Sequence, residues 1–389
     1  MSNTTANIDE VPVIGMVLPY LKSRGTEKQA LKLAEGFIAK GARVVLFVVQ
    51  GWGLDNMYQA FRDAGVKVVN AGTPEKTGQK KVDFPRVFAL AILARKYHCD
   101  ILLSRAGLSN QICGWAGFLS FIPTILVLSG PALPKQNINS PIGKIFSFIL
   151  SGKRYGFPNR VVSISEKGAA NFKSCYPLWS KQVKAILNGV QIIDEELDGE
   201  SPLKLDDKKF YVCFSGSLEL ERKGMDLLLE ALKYLVFDYG LNKTCLVLIG
   251  TGQDESKIRD WVQSHGLMNH VIFAGEQVNP YPVMKKCDVF VLPSRREGLG
   301  NSLLEAMALG ICCIATDCNS GPGEIIENGQ NGILVETGKS RVLADAIARV
   351  GNDPDLRNRL ARGGQKTIAE KFSYQSMIDK YYTLITEIK

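Results

Sequence analysis

The sequence predicts an α/β protein made of two similar domains, each with a parallel sheet covered by helices. Its 389 residues are more than a single hydrophobic core usually supports. Short apolar runs alternate with amphipathic stretches, and this alternation is typical of parallel sheets with helices on both faces. One mostly polar, acidic stretch interrupts the alternation and indicates an interdomain linker. The predicted parts are a first domain, 1–190, a linker, 191–209, a second domain, 210–372, and a last helix, 373–389.

Buried strands are predicted where short apolar runs end in glycine, proline or polar residues. In the first domain these strands are 13–18, 44–49, 67–70, 101–104, 124–128 and 160–164. In the second domain they are 210–214, 245–249, 271–273, 289–292 and 311–316. Ligands of open α/β sheets bind at the carboxyl ends of the strands, so the loops that follow these strands are the candidate sites.

Composition narrows the class of protein. A hydrophobic content of 46% and a charged content of 22% are ordinary for a soluble globular enzyme. The nine cysteines are scattered, without metal-ligand spacing or a disulfide-like rhythm, which favours a reducing compartment. The polar N-terminal residues do not resemble a signal peptide. We therefore expect a cytoplasmic protein.

Charge is distributed unevenly along the chain. Residues 1–185 contain 24 Lys and Arg against 10 Asp and Glu, whereas the remainder is acidic. A basic half is able to face anionic lipid, nucleic acid or a phosphorylated acceptor, although a solvated surface is the simpler alternative. The long uncharged span 106–134 is broken by glycines and a proline, which indicates a buried helix and a strand rather than a membrane span.

The most informative stretch is 288–327. A buried strand leads into a loop with Gly298 and Gly300, and Asn301 then gives a helix-start signal. Glu297 lies in the loop and Glu305 in the following helix, so both are able to face one ligand above the helix N-terminus.

Glycine-rich and basic turns follow two other strands of the second domain. Residues 215–217 end one strand, 222–224 precede a helix predicted over 225–234, and 250–252 form a permissive turn. Small residues allow the backbone to approach an anion, and the Arg-Lys pair adds positive charge at a helix start. A phosphate site is the functional interpretation, and a solvated basic turn is the alternative.

Together these motifs resemble the family 4 glycosyltransferases, retaining enzymes of the GT-B fold. The strongest match is the pair of glutamates separated by seven residues, Glu297 and Glu305, within PSRREGLGNSLLEAMALG. Further matches are GSLELERKGMDLLLEAL, LVLIGTGQ, VIFAGEQV and SGPGEI, with weaker ones at NGV and RGTEKQALKLAEGF. The resemblance implies two Rossmann-like domains with parallel sheets that face a central cleft. It also implies that the last helix crosses back to the first domain.

The resemblance implies a nucleotide-diphosphate sugar as donor, most simply a UDP-sugar, with no cofactor and no metal ion. Glu305 is similar to the glutamate that holds the ribose hydroxyls, and Glu297 to the one that contacts the transferred sugar. Lys223 and Arg222 would neutralise the departing diphosphate. The other donor-binding residues that the resemblance implies are Gly25, Gly216, Ser217, Gly250, Gly252, Val278, Gly298, Leu299, Gly300 and Asn301.

Two positions depart from the family pattern. Many members have Arg where Ser217 stands, and Arg222 is placed to substitute for it. Many also have a histidine where this chain has Ser129, Gly130 and Pro131. The chain's three histidines lie elsewhere, so the group that holds the sugar's primary hydroxyl stays unassigned.

The acceptor that the resemblance implies is a glycan or a lipid-linked molecule. Residues 140–160 combine apolar side chains with basic ones, among them Lys144, Lys153 and Arg154. A basic amphipathic segment is able to lie in an anionic membrane interface, although a core-facing helix gives the same pattern. We therefore predict peripheral attachment to the cytoplasmic face of a membrane through the first domain.

Two other functions fit parts of the sequence. A nucleotide-sugar epimerase shares this architecture but does not account for the pair of glutamates. A nucleic-acid-binding protein is suggested only by the basic half, and it needs aromatic and basic residues on one exposed surface. No nucleic-acid partner is expected.

Overall fold

The protein divides into two compact units. The structure, a computed structural model, describes residues 11–21, 25–50, 56–72, 84–105, 107–130, 155–191, 201–318 and 320–388. The first unit combines Met1–Leu187 with Gln375–Lys389, and the second is Asn188–Tyr374. Asn188 therefore begins the second unit, slightly before the predicted boundary.

In its described residues, the first unit is built on a parallel sheet of seven strands in the order β3-β2-β1-β4-β5-β6-β7. The strands are β1 Val13–Leu18, β2 Arg43–Val48, β3 Lys67–Asn70, β4 Ile101–Arg105, β5 Thr124–Leu128, β6 Arg160–Ser163 and β7 Val183–Ala185. The central strands β1 and β4 are fully buried because helices cover both faces of the sheet.

Amphipathic helices cover this sheet. They are α1 Gly25–Ala39, α2 Asn56–Asp63, α3 Phe84–Lys96, α4 Gly107–Ser120 and α5 Glu166–Cys175, followed by a 3₁₀ helix, Pro177–Gln182. In α1 the buried side chains Leu33, Ala34 and Phe37 recur at helical spacing.

In its described residues, the second unit has a parallel sheet of six strands in the order β10-β9-β8-β11-β12-β13. The strands are β8 Phe210–Ser215, β9 Thr244–Ile249, β10 Val271–Gly275, β11 Val289–Leu292, β12 Cys312–Asp317 and β13 Ile333–Glu336. Because the strand order reverses between β8 and β11, the topological switch point of this sheet lies between the loops that follow these two strands.

Helices connect the strands of the second unit. They are α6 Leu220–Lys223, α7 Met225–Lys233, α8 Glu255–Ser264, α9 Tyr281–Lys285, α10 Asn301–Ala308, α11 Pro322–Ile325, α12 Ser340–Asn352 and α13 Pro354–Lys371. Short helical turns also occur at Tyr234–Asp238 and Met268–His270.

The last helix, α14 Tyr374–Thr386, packs against α1 of the first unit. A Cβ added at Gly36 would lie 2.4 Å from Ile378, so the two helices approach as closely as a glycine permits. Lys40 forms an ion pair of 2.7 Å with Asp379. These contacts agree with the expectation that the last helix returns to the first part of the chain.

The structure confirms the prediction of two parallel α/β sheets, and each predicted strand is present within a residue or two of its bounds. Strands β7 and β13 and helices α12 and α13 were not predicted. Strand β7 has only three residues, and the apolar part of β13, residues 333–335, is also only three residues long, so both are shorter than the apolar run that marks a buried strand. Residues 192–200 of the predicted linker lie outside the described residues.

The nine cysteines are free thiols, and all of them are buried. Burial raises the pKa of Cys99 and of Cys312 to about 12, and that of Cys318 to about 11. Because the thiolate is the nucleophile, we expect the native protein to react with Ellman's reagent far more slowly than the protein in concentrated guanidinium chloride. A thiol of the native protein that reacts as fast as free cysteine would contradict this.

None of the helices in the described part of the chain is long and apolar enough to cross a membrane. The uncharged span 106–134 forms α4 and β5 where it is described, as predicted. The basic side chains Lys144, Lys153 and Arg154 lie outside the described residues, so the predicted amphipathic segment stays a prediction.

Candidate functional site

Two predicted site residues meet at the switch point of the second unit. Lys223 ends α6 in the connection after β8, and Glu297 lies in the loop after β11. The Nζ atom of Lys223 donates to Oε1 of Glu297 over 2.6 Å. Their side chains are only 13% and 9% exposed, so each charge depends on the other for compensation. The structure thus brings together a cation and a carboxylate that are distant in the sequence.

The two loops that carry this pair are fastened to each other. Gly224 has a φ of 67°, and a Cβ at this position would lie 2.1 Å from the carbonyl oxygen of Pro293. The backbone N–H of Arg295 donates to the carbonyl of Arg222, and its guanidinium binds Asp226 through two contacts of 2.6 Å. A glycine is therefore required where the β8 connection passes the β11 loop.

Three hydroxyl groups hold the backbone and carboxylate of Glu297 in place. Ser294, which is fully buried, donates to Oε1 of Glu297 over 2.7 Å, and Ser320 donates to its carbonyl oxygen over 2.6 Å. Thr316 donates in turn to the carbonyl of Ser294 over 2.5 Å. Among the described residues, Lys223 and Ser294 both donate to Oε1 of this carboxylate. Its other oxygen, Oε2, is therefore able to accept from a further donor. None of these three hydroxyl groups was predicted from the sequence, although each lies near the carboxyl end of a buried strand.

Arg222 points to a different partner from Lys223. Its guanidinium binds Glu219 through contacts of 2.8 and 2.6 Å, whereas Lys223 binds Glu297. The hydrogen bond from Arg222, together with one from Ser217, lowers the pKa of Glu219. The basic pair predicted from the sequence is therefore divided between two carboxylates. Ser217, which stands where many family members have Arg, contacts Glu219 rather than adding a cation.

The glycines after β8 and β9, which were predicted to bind the donor, allow two loops of the protein to pack closely on each other. A Cβ at Gly250, whose φ is 121°, would lie 2.2 Å from the carbonyl oxygen of Gly216. A Cβ at Gly252 would lie 2.3 Å from the carbonyl oxygen of Leu218. These glycines allow the two loops to pack backbone against backbone. Their contact with a donor stays a prediction.

The loop after Glu297 leads directly into α10. Gly300, with a φ of 99°, is the residue before the helix, and Leu299 is buried. The helix begins at Asn301, as the helix-start signal predicted, and Gly300 is its N-cap residue. The side chain of Asn301 accepts a hydrogen bond from Asn188 over 2.9 Å. Gly298 continues the same loop, at the switch-point edge of the sheet.

Glu305 lies one turn further along α10 and is half-buried. Burial first, and then the neighbouring carboxylate of Glu305, raise the pKa of Tyr281 in α9. Val278, which was predicted to flank a base, follows β10 and is 83% exposed. Gly25 is the first residue of α1 in the other unit.

The chemistry available at this switch point is electrostatic. The ammonium group of Lys223 is able to hold a phosphate oxygen, and Oε2 of Glu297 is able to accept from a hydroxyl. Among the described residues, no group of three or more His, Cys, Asp or Glu side chains is arranged to hold a metal ion.

Replacement of Ser294 tests the hydroxyl support of Glu297. We expect Ser294→Ala to weaken positioning of Oε1 and to lower kcat about tenfold, since a buried hydrogen bond to a charged group contributes roughly 1.5–3 kcal/mol. Ser264→Ala, at an exposed serine that ends α8, is the control. Unchanged kinetics for Ser294→Ala, measured as initial rates at several donor concentrations, would show that Lys223 alone holds Glu297.

The part of the chain that carries this site is similar to a known family. Residues 198–367 match the family model described as glycosyl transferases group 1. The lipopolysaccharide core biosynthesis glycosyltransferase LpsE of Rhizobium meliloti is 34% identical over 43% of this chain and 47% of its own. LpsD of the same organism is 30% identical over 53% of this chain and 58% of its own. The chain thus spans about half the length of these relatives.

A solved structure extends the similarity to almost the whole chain. The Anabaena protein Alr3699/HepE in complex with UDP covers 97% of this chain and 100% of its own, with a TM-score of 0.75. Its sequence identity of 20% shows the fold alone. Residues 198–367 are therefore similar to the group 1 glycosyl transferases, in agreement with the resemblance inferred from the two glutamates, and the fold of the chain is GT-B.

Proposed function

We propose that the protein is a retaining, metal-independent glycosyltransferase. It moves a hexose or an N-acetylhexosamine from a nucleotide-diphosphate sugar, most simply a UDP-sugar, to a hydroxyl of a glycan or lipid-linked acceptor. The observation that carries this proposal is the ion pair of Lys223 with Glu297 at the switch point, inside the segment that matches the family.

The donor and the acceptor have separate support. The crystal structure of HepE contains UDP, and its fold matches that of 97% of this chain. LpsE and LpsD are named for lipopolysaccharide core biosynthesis, which supports a glycan or lipid-linked acceptor. These relatives are glycosyltransferases, so the epimerase alternative gains no support from them.

The proposed mechanism assigns separate roles to the charged residues. Lys223 neutralises the diphosphate as the bond between the anomeric carbon and the diphosphate oxygen breaks. Arg222, which was predicted to share this role, binds Glu219 in the structure. Glu305 holds the ribose, and Oε2 of Glu297 accepts from a hydroxyl of the transferred sugar. The acceptor oxygen bonds to the anomeric carbon on the face from which the diphosphate departs, and an oxygen of the departing phosphate takes the acceptor's proton. Neither glutamate therefore acts as the acid or base of a glycosidase pair.

Donor turnover with an analysis of the product tests the proposal. The purified protein is incubated with UDP-glucose, UDP-galactose and their N-acetyl forms, in the presence and absence of EDTA, and UDP release is followed. We expect slow hydrolysis of one donor, unaffected by EDTA. Proton NMR taken early in the reaction should show the sugar released in the donor's own anomeric configuration. Inverted sugar, dependence on added metal, or epimerised UDP-sugar would contradict the proposal.

The proposed place of action is the cytoplasm, at the cytoplasmic face of a membrane. Support comes from the excess of basic residues in 1–185 and from the basic segment 140–160. A charge-reversed variant of Lys144, Lys153 and Arg154 tests the role of that segment in flotation with anionic vesicles.

A further inference from the structure

The second unit begins and ends in two segments that pair with each other. The chain passes into this unit at Asn188 and leaves it after Tyr374. Val190 forms a parallel bridge with Ser373. The N–H of Val190 donates to the carbonyl of Phe372 over 2.8 Å, and the N–H of Tyr374 donates to the carbonyl of Val190 over 3.2 Å. We call these two segments, 188–190 and 372–374, the crossing clip.

Gly189 allows the two segments of the crossing clip to lie this close together. A Cβ at this position would lie 2.7 Å from the carbonyl oxygen of Ser373 and 2.8 Å from the backbone nitrogen of Tyr374. Because glycine has no Cβ, the two backbones pack directly on each other. Asn188, the residue before this glycine, is therefore attached to a fixed backbone, and it is only 3% exposed.

Asn188 connects the crossing clip to α10. Its Nδ2 atom donates to Oδ1 of Asn301, the first residue of that helix, over 2.9 Å. Gly300, the residue before the helix, has no side chain with which to cap it. The start of α10 thus takes a side-chain hydrogen bond from a residue that lies 113 positions away in the chain.

The other segment of the crossing clip lies near the carboxylate that α10 carries. Burial first, then Glu305, and then Tyr374 raise the pKa of Tyr281, so Glu305 and Tyr374 both lie near this ring. Tyr281 is the first residue of α9, and Tyr374 is the last residue of the clip. The clip therefore borders α10 at its first residue and also beside Glu305.

The hydrogen bond from Asn188 restricts the direction in which α10 presents Glu305. Glu305 lies about one helical turn after Asn301, so a movement at the start of the helix is carried to its carboxylate. A buried amide that loses its partner is costly, which favours the one orientation of α10 that satisfies Asn188. Hydrogen bonds to a ligand weaken steeply when their angle departs from the preferred range, so this orientation affects binding at Glu305.

We propose that Asn188 is a positioning residue for the nucleotide, and that it acts through Asn301 and α10 on Glu305. The hydrogen bond holds the start of α10, and the crossing clip holds Asn188. This inference rests on the proposed function, because it concerns the ribose that Glu305 is proposed to hold.

A double-mutant cycle with UDP tests this proposal. Asn188→Ala should weaken the binding of UDP about fivefold in isothermal titration, the change that one neutral hydrogen bond typically represents. The KM for the donor should rise by the same factor, and kcat at saturating donor should stay within about twofold. Asn188→Ala/Glu305→Ala should bind UDP like Glu305→Ala, because a residue that acts through this carboxylate has no further effect once it is gone.

Asn331→Ala is the matched control for the loss of a buried amide. Asn331 is also 3% exposed, and its side chain donates to the carbonyl of Ile325 over 3.0 Å and to Thr367 over 2.9 Å. Both single variants should have a lower Tm, whereas only Asn188→Ala should bind UDP more weakly. Equal losses of affinity in the two variants would overturn the proposal, since general destabilisation would then be the cause.

Hydrogen exchange provides a measurement that does not depend on the donor. The N–H groups of Leu303 and Leu304 donate to the carbonyl of Gly300 at the start of α10. They should exchange faster in Asn188→Ala than in the unaltered protein or in Asn331→Ala. Unchanged exchange, full affinity of Asn188→Ala for UDP, or additive losses in the double variant would overturn this proposal alone. Failure of the unaltered protein to bind UDP would overturn the proposed function as well.

Discussion

Lys223→Ala should reduce kcat by about 10²–10³-fold, the magnitude expected when a preorganised group that stabilises developing charge is removed. In the proposed reaction the diphosphate gains negative charge as the sugar departs, and Lys223 is a cation that the structure places at the switch point of the second unit. A neutral alanine removes this compensation at the moment of bond breakage. Donor hydrolysis at saturating UDP-sugar measures the effect directly.

The same substitution leaves Glu297 with a hydrogen bond from Ser294 and without its cation. Breaking a buried ion pair from one side typically costs about 3–5 kcal/mol, so a reduced Tm is expected together with the loss of turnover. Thermal unfolding in parallel with kinetics separates the two effects. The assay is run well below the variant's Tm, so that loss of rate does not reflect unfolding.

Lys233→Ala is the matched control for Lys223→Ala. Lys233 ends the next helix, α7, and pairs with Glu230 over 3.2 Å at the surface. Exposed pairs of this kind contribute little to stability, so kcat and Tm should both stay near those of the unaltered protein. Normal turnover in Lys223→Ala, at a temperature where it is folded, would refute the assignment of Lys223 to the diphosphate.

The sequence was sufficient to predict the sheets and the residues of the switch point, because both depend on local patterns. The run Val289–Leu292 marks a buried strand, and the loop after it carries Glu297. Its partner Lys223 lies in the connection after β8, 74 residues earlier in the chain. Only the resemblance to a family placed these two residues in one site. The order of the strands in a sheet determines which distant residues lie close together, and no local sequence pattern encodes that order.

The partners of the charged side chains could not be predicted. Arg222 and Lys223 are adjacent in sequence, yet they bind Glu219 and Glu297. Consecutive residues of a helical turn point in different directions, so an Arg-Lys pair does not present both charges to one ligand. Ser294 was missed for a related reason, since a small hydroxyl after a proline carries no signal until its acceptor is known.

Glu305→Ala should weaken the binding of UDP by about 10–100-fold and raise the KM for the donor by a similar factor. Hydrogen bonds to a charged acceptor contribute about 1.5–3 kcal/mol, and the ribose offers two hydroxyls to one carboxylate. Because the ribose is held equally before and during bond breakage, kcat at saturating donor should change little. Isothermal titration with UDP and initial-rate kinetics measure the two quantities.

The opposite kinetic pattern is expected at Lys223, and the contrast tests both assignments together. A variant of Glu305 with normal affinity for UDP and a low kcat would move this glutamate from the nucleotide to the reacting sugar. Glu370→Ala, on the exposed side of α13, controls for the loss of a carboxylate. Glu305→Gln keeps the size of the side chain beside Tyr281, so a defect shared by Glu305→Ala and Glu305→Gln reflects the charge rather than the packing. In the proposed mechanism Lys223 therefore acts on the diphosphate, whose charge changes during the reaction, and Glu305 on the ribose, whose charge does not.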